Sequence, residues 1–415
     1  MKFSLDTKRA KRIAVDMIIN LAGTGIGLVL LQLVIYPYMA PRLGGERYGQ
    51  MQSIMSVVYM LSGTMGSTLN ITRLVRNYEY QEKRVDADFN YLVCAGLLLI
   101  LFAQPVILVF YAKDLEFLDL LLITLIALLN FTSNYYAVGF RLKINYKAIF
   151  IMKLLGCLGY GLGFGLFYLT FKWEAVFICS FLLETLYCIF KTDLIRESYS
   201  RSTMMGKTGR TFLDLGFAGM LSRSLTYFDK LLLYPLLGGE AVSIYYTANV
   251  FGKLIIMTIE PVTNVVLSYL SKEKGVSRRV WKITVPVALA SCALMYAACM
   301  IVSKPVLRIF YPEWAEQAIK LVPLCTLCLA VSAFLNIIRP LTLKALDSRK
   351  QIIFNGVGVV TYIIAVMSLY RRYSIAGCCV ALLLSYLVKL AVITVFCIRQ
   401  GSEEQEAPKG RQEEE

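Results

Sequence analysis

The sequence predicts an all-α polytopic membrane protein, with about twelve transmembrane helices in two parallel six-helix lobes related by a pseudo-twofold axis. Three observations predict it. Of 415 residues, 57% are hydrophobic and 17% charged, more apolar surface than a soluble chain of this length can bury. Apolar runs of about 18–25 residues recur from end to end, each long enough to cross a ~30 Å hydrocarbon core as a helix. The chain also repeats itself: PVILVFY at 105–111 returns as PVLRIFY at 305–311, and LGGE at 43–46 returns at 237–240. Self-similarity at nearly one spacing, 200 residues for the first pair and 194 for the second, marks a duplicated architecture with small insertions. Each copy holds six spans, an even number, so both copies enter the membrane the same way round.

In order, the apolar runs lie at 13–36, 48–72, 91–111, 118–140, 148–171, 175–190, 211–237, 241–270, 283–303, 317–338, 352–370 and 374–398. The polar, basic segment 191–210, with Gly206 and Gly209, links a first lobe at 1–190 to a second at 211–400. The tail 401–415, GSEEQEAPKGRQEEE, is acidic and has the composition of a disordered segment. With the N-terminus inside, 29 of the 43 Lys and Arg fall in inner segments and 8 in outer loops. That is the asymmetry of the positive-inside rule, and it puts both termini in the cytoplasm. The net charge of +15 therefore reports topology. Nucleic acid is not an expected partner, because no soluble basic domain exists to carry it. The first run follows Lys8, Arg9, Lys11 and Arg12 and continues as a full-length helix without a small-residue cleavage site. The inner membrane of a bacterium is the expected location.

Several functions are excluded or disfavoured. The chain has no histidine, so His-based acid–base catalysis, His metal sites and Ser-His-Asp triads are out. Cys325 and Cys328 form a C-x-x-C inside a predicted span, where core packing is the expected use. Gly156, Gly159, Gly161, Gly163 and Gly165 imitate a phosphate loop but follow no strand, so close helix packing is expected. The sequons at Asn70 and Asn130 lie within the membrane. No cofactor or metal is expected. The outer loops are short, which disfavours a membrane-embedded glycan ligase or polymerase.

Ionisable groups inside spans are costly and usually face a cavity or a partner. The first span carries Asp16 and Asn20, the seventh Arg223, Asp229 and Lys230, and the eighth Asn249, Lys253, Glu260 and Asn264 on one face. The second span carries a polar-to-small stripe: Gln52, Ser56, Tyr59, Gly63, Ser67 and Asn70. Spans one and two correspond by repeat to seven and eight, so these four polar helices are expected to meet. At about 1.5 Å per residue, Arg223 and Lys253 come near the midplane, where two cations suit a phosphate-bearing substrate. The alternative is mutual neutralisation, Arg223 with Glu260 or Lys253 with Asp229. Glu184, in the sixth span, has no mirrored charge: Leu384 occupies its place. It is either a polar site of the first lobe or a snorkelling residue. Asp16 and Glu260 lie nearer the inner side, and Asp16 could exchange protons with the cytoplasm or pair with Lys8, Arg9 or Arg12. The two LGGE turns, at the outer ends of these helices, are natural gate positions.

Four stretches carry a family resemblance: YPYMAPRLGGERYGQ (36–50), FDKLLLYPLLGGEAVSIYYTANVFGKL (228–254), FYPEWA (310–315) and RRYSIAGCCVALLLSY (371–386). In this order they resemble Wzx-type oligosaccharide-lipid flippases of the multidrug/oligosaccharidyl-lipid/polysaccharide exporter superfamily. Ser374 and Cys378-Cys379 replace the Gly and Ala-Ala of the family's last motif. The resemblance implies a V-shaped transporter, not an enzyme, that turns a lipid-diphosphate-linked sugar repeat unit from the inner to the outer leaflet. It carries over Arg73 and the Asp229–Lys230 pair by motif, and Arg223 and Lys253 as cavity cations by position. With the polar residues within the spans, the expected substrate contacts are Arg73, Arg223, Lys230, Asn249 and Lys253, and the expected ion-coupling residues are Asp16, Asp229 and Glu260. Expected partners are the lipid-linked oligosaccharide, membrane lipids, and a polysaccharide polymerase and glycosyltransferases of the same pathway. A multidrug exporter of organic cations with the same fold is the rival.

Overall fold

Two glycines set the first lesson of the fold. Gly44 has φ 74° and ψ 164°, and Gly238 has φ 82° and ψ 176°. Only glycine enters that region at low cost, because any Cβ clashes with its own main chain. Each therefore breaks a long helix at one residue without a loop, and both are the first glycine of an LGGE copy. The internal repeat is thus a repeat of backbone conformation as well as of sequence.

The computed structural model describes the main chain of residues 7–85, 87–270, 278–345 and 348–406. Within these ranges the side chains at 7–14, 16, 17, 20, 255, 257–270, 278–280, 283, 340, 343–345, 348–351 and 397–406 are not described. The described residues form twelve helical rods, one for each expected span. These are α1 (7–43), α2 (45–82), α3 (Phe89–Tyr111), α4 (Phe117–Leu142), α5 (Tyr146–Thr170), α6 (Glu174–Lys191), α7 (205–237), α8 (239–270), α9 (Arg278–Phe310), α10 (Ala315–Ala345), α11 (348–373) and α12 (375–406). A 3-10 turn, Leu194–Arg196, lies between α6 and α7. Single π-helical segments interrupt α1 (Leu30–Ile35) and α2 (Tyr59–Gly63). α11 and α12 are separated by Ser374 alone, at φ 49° and ψ −131°.

Among the described residues, seven stretches are long and apolar enough to cross a membrane on those two grounds. Those at 21–82 and 352–396 each contain two rods. Left over among the described residues are α6, α7 and α8, the helices that carry Glu184, Arg223, Asp229, Lys230, Lys253 and Glu260. Large apolar side chains face outward, with Phe102 69%, Leu169 78% and Ile301 74% exposed. Exposure on that scale suits lipid, not water. The chain is a multi-pass membrane protein.

The rods belong to two compact units, Met1–Tyr246 and Thr247–Glu415. In the first, α5 and α6 pack closely along their length. A Cβ at Gly159 or Gly163 would lie 2.5 Å or less from main-chain atoms of Cys179–Ser180 or Ala175–Val176. Gly161 and Gly165 touch nothing. The glycine run is therefore a contact face at i, i+4, as small-residue packing in membranes demands. α2 presents its stripe and an adjoining threonine face to different neighbours. Gly63 and Asn70 face α4, where Asn70 Nδ2 donates to the Asn134 carbonyl at 2.9 Å, while Thr64 and Thr68 face Gly216 and Gly219 of α7.

The second unit has its own core. Cys292, Met295 and Cys299 of α9 pack on Leu329, Ala330 and Ala333 of α10, and Ile338, Phe354 and Ile393 join α10, α11 and α12. Cys325 and Cys328 are buried against Cys379, with Cys325 Sγ 3.6 Å from Cys379 Sγ and Cys328 Sγ 3.2 Å from the Cys379 carbonyl. The C-x-x-C is a packing element between α10 and α12.

Candidate functional site

The four polar helices do meet where the first unit contains them. The Glu46 carboxylate, in the first turn of α2, accepts the main-chain N–H of Gly239 at 2.9 Å on both oxygens and that of Glu240 at 3.1 Å. These N–H groups open α8 and have no partner inside it, so a carboxylate satisfies them and meets the positive end of the helix dipole. Ser243 Oγ donates to the Gly45 carbonyl at 2.6 Å. The main chains are in contact: a Cβ on Gly49 would lie 1.7 Å from the Gly239 oxygen. Below this latch, Tyr246 sits edge-on to Tyr36 (5.8 Å) and Tyr48 (6.2 Å), and its hydroxyl is hydrogen-bonded to the Gln32 amide at 2.6 and 2.8 Å. At the other end of the same contact, the Tyr80 and Thr208 hydroxyls are 2.7 Å apart. There Lys207 Nζ donates to both oxygens of the Glu79 carboxylate at 3.2 Å.

α7 presents three of the expected site residues in distinct states. Arg223, near its middle, is half-buried and has no ion pair or hydrogen bond among the described residues. Asp229 and Lys230 are both buried and bonded to each other, Nζ to Oδ1 at 3.0 Å, and the Tyr245 hydroxyl donates to Asp229 Oδ2 at 2.9 Å. Lys230 Nζ also donates to the Thr226 carbonyl at 3.4 Å. A helix places i and i+1 on different faces, so the lysine must curl back to reach its neighbour. It does so where leaving either charge alone would be costly.

Glu184 is not at the membrane surface. It is 5% exposed, lies over Gly156, and takes the Lys153 ammonium at 2.9 Å on both oxygens. Gly156 leaves room for the carboxylate: a Cβ there would be 2.5 Å from Oε1. Sequence reasoning missed Lys153. The available signal was a lone lysine in the fifth span, one helix away from the lone glutamate of the sixth.

Arg73 is at the linker end of α2, 9% exposed, with its guanidinium 4.6 Å from the Phe89 ring centre. Its two terminal nitrogens fork onto Glu197 at 2.7 and 2.5 Å, and one also reaches the Tyr135 hydroxyl at 3.2 Å. The expected anion at Arg73 is thus filled by a carboxylate of the linker.

In the second unit, Asn249 is buried and Lys253 half-buried on α8. Lys389 of α12 was also missed. It is 9% exposed and 5.6 Å from the Phe354 ring centre, with no hydrogen bond or ion pair among the described residues. A cation in the last span was visible in the sequence, but nothing there said that it would be buried. The Asp16 and Glu260 side chains lie outside the described residues.

No protein-family model matches the sequence, and no curated protein matches it. Solved structures do match. The chain has the fold of a flippase and of multidrug exporters. It is similar to the lipid II flippase MurJ in an inward closed conformation, at 14% identity and a TM-score of 0.68, over 92% of this chain and 87% of that one. It is also similar to an inward-facing multidrug resistance MATE family transporter of the MOP superfamily, at 13% identity and 0.64, over 94% and 100%. The MATE transporter VcmN of Vibrio cholerae in its bent form matches at 14% and 0.60, over 95% and 98%. At these identities the likeness establishes the fold: an all-α polytopic architecture of about twelve transmembrane helices, built as two six-helix halves and shared with transporters of the MOP superfamily.

Proposed function

We propose that this protein is an alternating-access transporter that turns lipid-diphosphate-linked oligosaccharide repeat units across the bacterial cytoplasmic membrane for surface polysaccharide synthesis. The observation that carries the reading is Arg223, a half-buried cation near the middle of a membrane helix with no ion pair among the described residues. A cation so placed calls for an anion, and a diphosphate is one. Two buried carboxylates of the first unit, Glu184 and Asp229, are each bonded to a lysine, which argues against a site for organic cations. Lys253 and Asn249, on the helix that follows the second LGGE, would contribute to the same substrate. Asp229, Asp16 and Glu260 would couple transport to an ion gradient. The MurJ likeness, to a protein whose described cargo is lipid II, fits a lipid-linked substrate, whereas the MATE likeness fits the organic-cation rival.

The test is transport by the purified protein in liposomes, with a fluorescent lipid-diphosphate oligosaccharide in one arm and a fluorescent organic cation in the other. Flipping of the glycolipid, reduced at least tenfold by Arg223→Glu, is expected. Organic-cation transport with no glycolipid flipping would establish the exporter reading instead.

A further inference from the structure

A cavity of about 540 Å³ opens at the linker end of the first unit, between the end of α2, the end of α4 and the segment 192–197. Three cations line it, Arg73, Arg84 and Lys143, together with the amides of Asn77 and Gln81. Its two carboxylates, Asp193 and Glu197, come from one short stretch of the linker, and each already holds a cation. Glu197 takes the Arg73 fork, and Asp193 Oδ2 lies 3.4 Å from Lys143 Nζ. Arg84 has no ion pair among the described residues, and Arg73 Nε is buried without a hydrogen-bond partner among them. The balance is one cation in excess, with an arginine donor unused.

A carboxylate in a bidentate arginine fork occupies the geometry that a phosphate takes. At roughly 30 Å³ per water molecule, the cavity is far larger than the Glu197 carboxylate. It lies at the ends of spans, where phospholipid headgroups sit, and basic pockets between helices at that level bind them. Glu197 can leave without unfolding its surroundings. The linker main chain is tied down separately, by Asn90 Nδ2 to the Leu194 and Glu197 carbonyls at 2.9 and 2.8 Å, and by Ser202 N–H and Oγ to the Asp88 carboxylate at 2.5 Å.

We infer that this cavity binds a phosphate-bearing anion through Arg73, Arg84 and Lys143, and that Glu197 is its internal competitor. The site is separate from the proposed transport pathway at Arg223 and does not depend on that reading. Binding replaces one anion by another at Arg73 and brings the unpaired Arg84 into use.

Native mass spectrometry and thermal melting of the purified full chain test it, with inorganic phosphate, glycerol phosphate and phosphatidylglycerol as probes and phosphatidylcholine as the zwitterionic control. Arg84→Ala/Lys143→Ala, both at exposed positions, should weaken binding at least tenfold. Glu197→Gln should strengthen it severalfold. A response confined to phosphatidylglycerol assigns a lipid headgroup, and an equal response to glycerol phosphate assigns a soluble ligand. Equal binding of every probe by wild type and the double variant overturns the site. Weaker binding in Glu197→Gln, with its melting temperature unchanged, overturns the competitor role.

Discussion

The main-chain N–H of Gly239 lies 2.9 Å from both oxygens of the Glu46 carboxylate. A side chain of the first LGGE copy thus caps the helix that begins at the second. The repeat-related Glu240 makes no matching cap: it is exposed, and the bond beside it is Ser243 Oγ to the Gly45 carbonyl. One of two equivalent carboxylates does the joining, so the latch is asymmetric although the backbone breaks are alike.

Glu46→Ala removes the acceptor for two otherwise unsatisfied N–H groups, at a cost of about 1–3 kcal/mol to the joined state. A cysteine at Ser243 in a background cleared of native cysteines should then label about ten times faster. Gly49→Val should disrupt the joint more strongly, because its side chain cannot fit against Gly239. Unchanged labelling in both variants would mean that the turns are not a gate.

Ser374 holds φ 49° and ψ −131° between α11 and α12, a conformation that suits glycine. Ser374→Gly is expected to stabilise the protein by about 1 kcal/mol, read as a melting temperature raised by a few degrees in detergent. A lower melting temperature would show that the serine makes a compensating contact.

The Lys153–Glu184 pair should be strongly coupled. Removing the lysine leaves a buried carboxylate and should cost about 3 kcal/mol, the lower end for buried pairs because Lys153 is partly exposed. Lys153→Met/Glu184→Gln should be more stable than Lys153→Met alone. Additive losses in the double-mutant cycle would exclude a pair that acts as a unit.

Glu174, at the turn that opens α6 and outside the apolar span, is 1% exposed, with one carboxylate oxygen lacking a partner among the described residues. Burial pushes its carboxyl up to about 7 from an ordinary 4.5. A folded-state value above the unfolded one means that folding takes up a proton between these two values. Stability should therefore fall as pH rises from about 4.5 to about 7 and level off above that. Glu174→Gln should flatten the profile of melting temperature against pH. A profile that still falls across that window would assign the loss to other groups.

The sequence by itself determined the membrane class, the twelve helices and the duplication, because these rest on the apolar length needed to cross a bilayer and on a repeat written in the residues. LGGE also marked both breaks, since only glycine takes the backbone conformation found at Gly44 and Gly238. The tertiary structure decided which charges are neighbours. Lys153 reaches Glu184 only because Gly159 and Gly163 let α5 and α6 touch and Gly156 leaves room for the carboxylate. Arg73 is filled only because the linker folds back over the end of α2, and Asp229 takes the lysine beside it because that lysine curls back. Burial and pairing depend on how helices rotate and approach, which side-chain period alone does not fix. That is why the helices could be read from the chain, while the state of each charge inside them waited for the packing.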